Sequence, residues 1–370
     1  MKDKLNRRRF LLATTTLAAA GMHALPTLRV SAYAGTSVKM PETIRVGIIG
    51  LDGHCSEITG ALKVCPNLRI TAIAENKPDL LRPFRSNPAT ANARFYQDYQ
   101  QLLDHETLEV VAVCGENGVR ARIVTACAER GIPIAAEKPL ALSLSELTAV
   151  KKVLSARRIP LTMLLPMRCS PQFQAMREVI RSGQIGEVVA IDAQKSYRLG
   201  TRPDWMKNRR TFGGTIPYIG IHMVDLMRWT TGRDFVQVGA FQSTVGAPQI
   251  GDMENNAALI FKMENRGTAT LHLDYLRPAA AASHGDDRLR VVGTKGIVEY
   301  QEGRGLTLVT ESQPMTKIDS LPPAKHLFAD FIASLYQGTP HLIQPDEIYR
   351  VTEIVLKARE AAERNRLVQL

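Results

Sequence analysis

The turn Gly50-Leu51-Asp52-Gly53-His54-Cys55 lies between an apolar run at 44–50 (IRVGIIG) and a helix-like stretch at 57–65 (EITGALKVC). A turn so placed can hold a pyrophosphate, because the free N–H groups and dipole of a helix N-terminus face the anion and glycines let it approach the backbone. Gly50 matches the first glycine of G-x-G-x-x-G, whereas Asp52 and Cys55 occupy the positions of the second and third. A carboxylate beside a pyrophosphate is electrostatically awkward. Two readings therefore stand: a degenerate dinucleotide site contacted through Gly50, Asp52, Gly53 and His54, or a tight turn without a ligand. Glu75 ends the next apolar run, 68–75 (LRITAIAE), about 20 residues on, where an acid binds ribose hydroxyls and repels a 2'-phosphate. That favours NAD over NADP, although Lys77 keeps NADP open and a solvated strand-end acid is the plain alternative.

Lys138 stands between Glu137 and Pro139 at the end of a further apolar run, the edge at which open α/β sheets bind ligands. His222 and Asp225 are one helical turn apart in 222–232 (HMVDLMRWTTG). Set among Met223, Val224 and Leu226, the histidine also reads as a buried structural residue. Residues 202–210 (RPDWMKNRR) put Trp205 near Arg209 and Arg210. That combination suits a sugar or sugar acid and equally a solvated loop.

Alternating strands and helices must position these groups. Strands are predicted at 44–50, 68–75, 108–114, 132–139 and 159–166, with helices at 57–65, 121–131 and 142–158, the last opening on a Ser143-x-x-Glu146 start. Such alternation builds a parallel doubly wound sheet. Beyond Pro166 the texture changes to a helix at 172–183 and seven strand-like segments of alternating polarity at 187–198, 236–244, 256–265, 267–276, 288–294, 295–302 and 305–312. These predict a large, mostly antiparallel open sheet in an α+β domain. The helix at 222–232 should pack on one face of that sheet, and a last helix at 345–365 should return to the first domain. The reading divides the chain into 1–34, a Rossmann domain at 42–163 and a second domain at 164–370.

The first segment resembles a twin-arginine export signal: Arg7 and Arg8, then Phe10-Leu11-Leu12, a mildly apolar run and the small-x-small site Ser31-Ala32-Tyr33-Ala34. An ordinary basic arm or an uncleaved anchor is the alternative. Residues 1–34 carry six basic residues and one acid, +5 of the chain's net +11, leaving +6. No like-charge run or basic aromatic stripe remains to support nucleic-acid binding, and no other stretch is long and apolar enough to cross a membrane. Five cysteines without a CxxC pair argue for buried thiols over a disulfide framework or a zinc site, which suits folding before export.

Five landmarks in order carry a family resemblance: the GIIG turn; Glu137-Lys138-Pro139; Met167-Arg168-Cys169-Ser170-Pro171; Gly183-Gln184-Ile185-Gly186-Glu187-Val188; and Gly220-Ile221-His222-Met223-Val224-Asp225. From residue 44 to the end the chain resembles the glucose-fructose oxidoreductase, inositol dehydrogenase and rhizopine-catabolism (Gfo/Idh/MocA) oxidoreductases. The resemblance implies a Rossmann domain, a second domain whose open sheet often mediates a dimer or tetramer, and a substrate bound between them. It places Lys138 near the nicotinamide and the reacting hydroxyl, where a cation stabilises developing alkoxide charge. Glu137 and a cis Pro139 shape that turn. His222 falls on the usual general acid/base, Asp225 could orient it or contact substrate, and Asn117 lies by the cofactor ribose or nicotinamide. Arg168, Trp205 and Arg209 are the substrate-side candidates. Tyr218 stands where many relatives have an acid, and Arg120 replaces a common histidine.

The leading reading is an exported, periplasmic NAD-dependent oxidoreductase acting on a secondary alcohol of a sugar, cyclitol or sugar derivative, with NADP disfavoured. The alternatives are a glycoside hydrolase working through transient oxidation and a non-catalytic sugar-binding protein on the same fold.

Overall fold

The computed structural model describes residues 40–246 and 250–370. The twin-arginine segment and its cleavage site lie outside the described residues. Six short strands, β1 (Ile44–Ile49), β2 (Leu68–Ala74), β3 (Arg94–Tyr96), β4 (Val110–Val113), β5 (Ile134–Ala136) and β6 (Leu161–Met163), form one parallel sheet in the order β3-β2-β1-β4-β5-β6. This is the doubly wound order, with its switch point between β1 and β4. β4 and β5 are wholly apolar and wholly buried because helices cover both faces of the sheet.

Helices α1 (Cys55–Ala61), α2 (Pro78–Ser86), α3 (Tyr99–His105), α4 (Asn117–Glu129) and α5 (Leu144–Arg157) connect these strands. Of them α2, α3 and the edge strand β3 were not foreseen. The Ser143 hydroxyl caps α5 by accepting from the Glu146 N–H at 3.2 Å, while the Glu146 carboxylate accepts from the Leu142 N–H at 2.9 Å. The Ser-x-x-Glu pattern thus closes one residue further out than a standard capping box.

The second sheet has nine strands: β7 (Val188–Ser196), β8 (Phe235–Ser243), β9 (Asn256–Met263), β10 (Thr268–Asp274), β11 (Arg288–Gly293), β12 (Gly296–Gln301), β13 (Gly305–Thr310), β14 (Gln313–Lys317) and β15 (Val368–Gln369). Their order is β14-β13-β12-β11-β7-β10-β9-β8-β15. Every pair is antiparallel except β7 with β10. Helices α6 (Pro171–Arg181), α7 (Arg209–Phe212), α8 (Ile221–Thr231), α9 (Leu327–Gln337) and α10 (Pro345–Arg364) complete the chain. A π-helical turn at Ile216–Gly220 leads into α8, a local irregularity of the kind that often marks a functional position.

Helix α10 packs on β8 and α8 and also reaches α5 and β6. From it Arg359 donates to the carbonyl of Gly213 at 2.7 Å and to that of Leu142 at 3.0 Å. One side chain therefore ties the segment after β5 to the segment before α8.

Candidate active site

At the switch point Gly50 and Gly53 both have positive φ, 78° and 69°. A Cβ on Gly50 would lie 2.2 Å from the Gly115 Cα, and one on Gly53 would lie 2.5 Å from the Glu137 carboxylate. Only glycine fits either position. The Glu75 carboxylate accepts three main-chain N–H groups, from Leu51 at 3.0 Å, Asn76 at 2.9 Å and Lys77 at 3.0 Å. It welds the end of β2 to the glycine turn and is not a solvated acid. Asp52 does not face the turn as a bare charge: the Lys77 ammonium bridges it at 3.3 Å to Glu116 at 3.2 Å. Burial would lower the Lys77 pKa, but the two carboxylates outweigh it and raise it. Gly50, Asp52, Glu75, Asn76, Lys77, Gly115 and Glu116 line a crevice of about 250 Å³.

Lys138, just past β5, and His222, on α8, are not among the residues that line that crevice. The Lys138–Pro139 peptide is cis. The Lys138 ammonium donates to the Tyr218 carbonyl at 3.0 Å and lies 3.5 Å from the centroid of the Tyr218 ring. Burial is the main influence on it and depresses its pKa; Glu137 opposes this, Arg120, Lys195 and Arg202 add to it, and the value falls to about 7. Glu137 is buried too, which alone would raise its pKa, yet His54, Lys138 and Arg120 hold it down at about 2. Its carboxylate takes the His54 N–H, the His54 Nδ1 at 2.7 Å and the Lys138 N–H at 3.0 Å.

His222 is 4 % exposed. Its ring lies edge-on to that of His54, with centroids 5.4 Å apart. Burial, followed by the charge of Lys138, holds its pKa well below the ordinary histidine value, so the ring is neutral. Nδ1 is sealed off with no partner, leaving Nε2 as the nitrogen open to the cleft.

Other candidates are engaged elsewhere. Asp225 does not orient His222: it faces Arg168, which grips it through Nε at 2.8 Å and Nη2 at 2.6 Å, both side chains being at most 2 % exposed. Arg168 also donates to Glu347 and to the Leu342 carbonyl. Arg168 is therefore an internal brace, its charge matched within the fold by Asp225 and Glu347. Arg209 is ion-paired with Glu254. Asn117 donates to the Phe212 carbonyl at 2.7 Å and accepts from Arg120 at 2.8 Å, so both ends of its amide are held within the protein. Trp205 is buried beside Tyr218 and Phe212, with its Nε1 unpartnered.

The structure adds residues that the sequence reading passed over. Lys195 is buried at the end of β7, where it donates to Asp287 at 2.7 Å. Tyr275, just past β10, is 3 % exposed with an unpartnered hydroxyl. Arg202 lies over its ring. These come from strand ends and loops, where alternation read them as ordinary faces; the one available signal was a lysine on the inward side of an otherwise apolar strand face.

Residues 44–163 match the oxidoreductase family with an NAD-binding Rossmann fold, and residues 173–299 match the GFO/IDH/MocA C-terminal domain. The chain belongs to the Gfo/Idh/MocA oxidoreductase family. Two relatives of this family member are the myo-inositol 2-dehydrogenase of Thermotoga maritima, 24% identical over 268 residues, and the inositol 2-dehydrogenase of Rhizobium meliloti, 26% identical over 267. Each alignment covers 72% of this chain and 78% of the relative. A solved structure described as a putative oxidoreductase from Thermotoga maritima superposes with a TM-score of 0.83 at 31% identity, covering 88% of this chain and 100% of the other. This Gfo/Idh/MocA member is an NAD(P)-dependent oxidoreductase acting on CH–OH groups. Its crevice at the β1/β4 switch point fits the dinucleotide: Gly50 and Gly115 line it, and Lys77 stands between Asp52 and Glu116, two of its carboxylates.

Proposed function

We propose that this oxidoreductase removes a hydride from a secondary alcohol of a sugar, cyclitol or sugar derivative, with NAD preferred over NADP. One observation carries the reading: Lys138, from the end of β5, is bonded to Tyr218 four residues before His222, so a cation and a neutral imidazole share one chamber. The inositol dehydrogenases among the relatives support the substrate class. Gly50, Asn76 and Lys77 would hold the dinucleotide, and the Glu75 carboxylate, held at the end of β2, disfavours a 2'-phosphate.

Bound NAD supplies the hydride acceptor. His222 Nε2 takes the hydroxyl proton, being already neutral. The Lys138 ammonium keeps N–H directions beyond its bond to Tyr218 and stabilises the developing alkoxide. Incubation with NAD and a panel of sugars and cyclitols should accumulate reduced nicotinamide. Nitrophenol release from nitrophenyl glycosides without net reduction would replace this reading with transient oxidation, and a folded protein that acquires no nicotinamide would sink both.

Because kcat/KM reports groups of the free enzyme, the oxidation rate should be level below pH about 7, where Lys138 is charged. Above that it should fall roughly tenfold per pH unit as the ammonium is lost. A rate that climbs through that range would make Lys138 the proton acceptor instead.

We also propose export to the periplasm by the twin-arginine machinery, with cofactor loaded beforehand and regenerated in place. Arg7 and Arg8 support this, as do five cysteines that are all free thiols. On the open face of the second sheet Phe241, Ile260 and Leu367 are 71 %, 54 % and 62 % exposed around a hollow of about 330 Å³. This apolar patch supports a homodimer or tetramer. Light scattering should give a multiple of the chain mass, and Ile260→Asp should reduce it; a monomeric parent protein would remove the proposal.

A further inference from the structure

Arg202 is a cation that no carboxylate matches among the described residues. Its guanidinium lies 4.6 Å from the centroid of the Tyr275 ring. Nη2 donates to the Arg198 carbonyl at 3.0 Å, while Nε is buried with no partner. Among the described residues no carboxylate pairs with it, although Lys195 has Asp287, Arg209 has Glu254 and Arg168 has Asp225. The Tyr275 ring lies 6.3 Å from that of Tyr197, which the Lys195 ammonium approaches to 4.9 Å, and Trp205, three residues after Arg202, packs edge-on to Tyr218 with centroids 6.1 Å apart. Two further polar atoms nearby are buried and unpartnered, the Tyr275 hydroxyl and Asp287 Oδ1.

A buried polar atom without a partner costs free energy. Arg202 Nε, the Tyr275 hydroxyl and Asp287 Oδ1 are accounted for together if a ligand completes them. Guanidinium groups recognise carboxylates through parallel N–H bonds, which are stronger than bonds to neutral oxygen. We propose that the substrate is a polyhydroxylated acid of the sugar-acid type, its carboxylate received by Arg202 and its hydroxyls by Tyr275 and Asp287. This rests on the dehydrogenase reading and adds a charge requirement to it.

The test uses the full chain loaded with NAD and matched pairs of probes: glucuronate with glucose, galacturonate with galactose, and glucose 6-phosphate as a phosphate-bearing control. Binding is followed by calorimetry and turnover by nicotinamide reduction. At least one acid should bind about tenfold or more tightly than its neutral parent, the span expected of a charged hydrogen bond. Arg202→Gln should reduce that acid-to-neutral ratio by about tenfold, and Arg202→Lys should restore part of it. Thermal unfolding of each variant reports its folding. Equal binding of acid and parent, a ratio unchanged in Arg202→Gln, no acid bound at all, or preference for the phosphate would each overturn the assignment. Arg202-dependent acid binding without hydride transfer would uphold it and remove the dehydrogenase reading instead.

Discussion

Substituting Lys138 by methionine is expected to lower kcat/KM by about 10²- to 10³-fold, the usual consequence of deleting one electrostatic stabiliser of a developing oxyanion. Methionine keeps most of the side chain's length and apolar stem. Glu137 retains its bonds to His54, so the glycine turn keeps its anchor. Lys138→Arg fixes the charge, and the alkaline fall of the rate should then vanish. Turnover of Lys138→Met within threefold of the parent would remove the residue from the chemistry.

The second large effect is on stability. Arg168→Met should destabilise the fold by about 3–5 kcal/mol, because it strands the Asp225 carboxylate in the interior without its partner. Replacing both residues, Arg168→Met with Asp225→Leu, should recover much of that loss, since a buried pair exchanged for apolar side chains is often close to neutral. Denaturant unfolding measures both variants. If Arg168→Met unfolded like the parent but bound substrate weakly, the arginine would be a ligand contact after all.

The parallel sheet was legible because its strands are short, apolar and bounded by glycines or acids: residues 44–50, 68–75 and 108–114 could be little else. The part that escaped, α2, β3 and α3, lacks that signal. No residue of α2 is buried and Pro83 lies inside it, while Arg94–Tyr96 is a three-residue edge strand with one exposed and two half-buried side chains. In the site, Lys138 and His222 were legible from their neighbours along the chain. The partner of Asp225 was not: spacing suggested a residue three positions away, whereas Arg168 is 57 residues earlier. Arg209 and Arg202 were interchangeable by composition. Only the fold shows that Glu254 pairs with the first and that, among the described residues, no carboxylate pairs with the second.

Arg359 has a mechanical consequence. Its two bonds run to main-chain carbonyls on opposite walls of the cleft, Leu142 and Gly213, and its own helix lies across both. Any hinge opening of the walls must stretch a charged bond at each end, so the walls move as a single block.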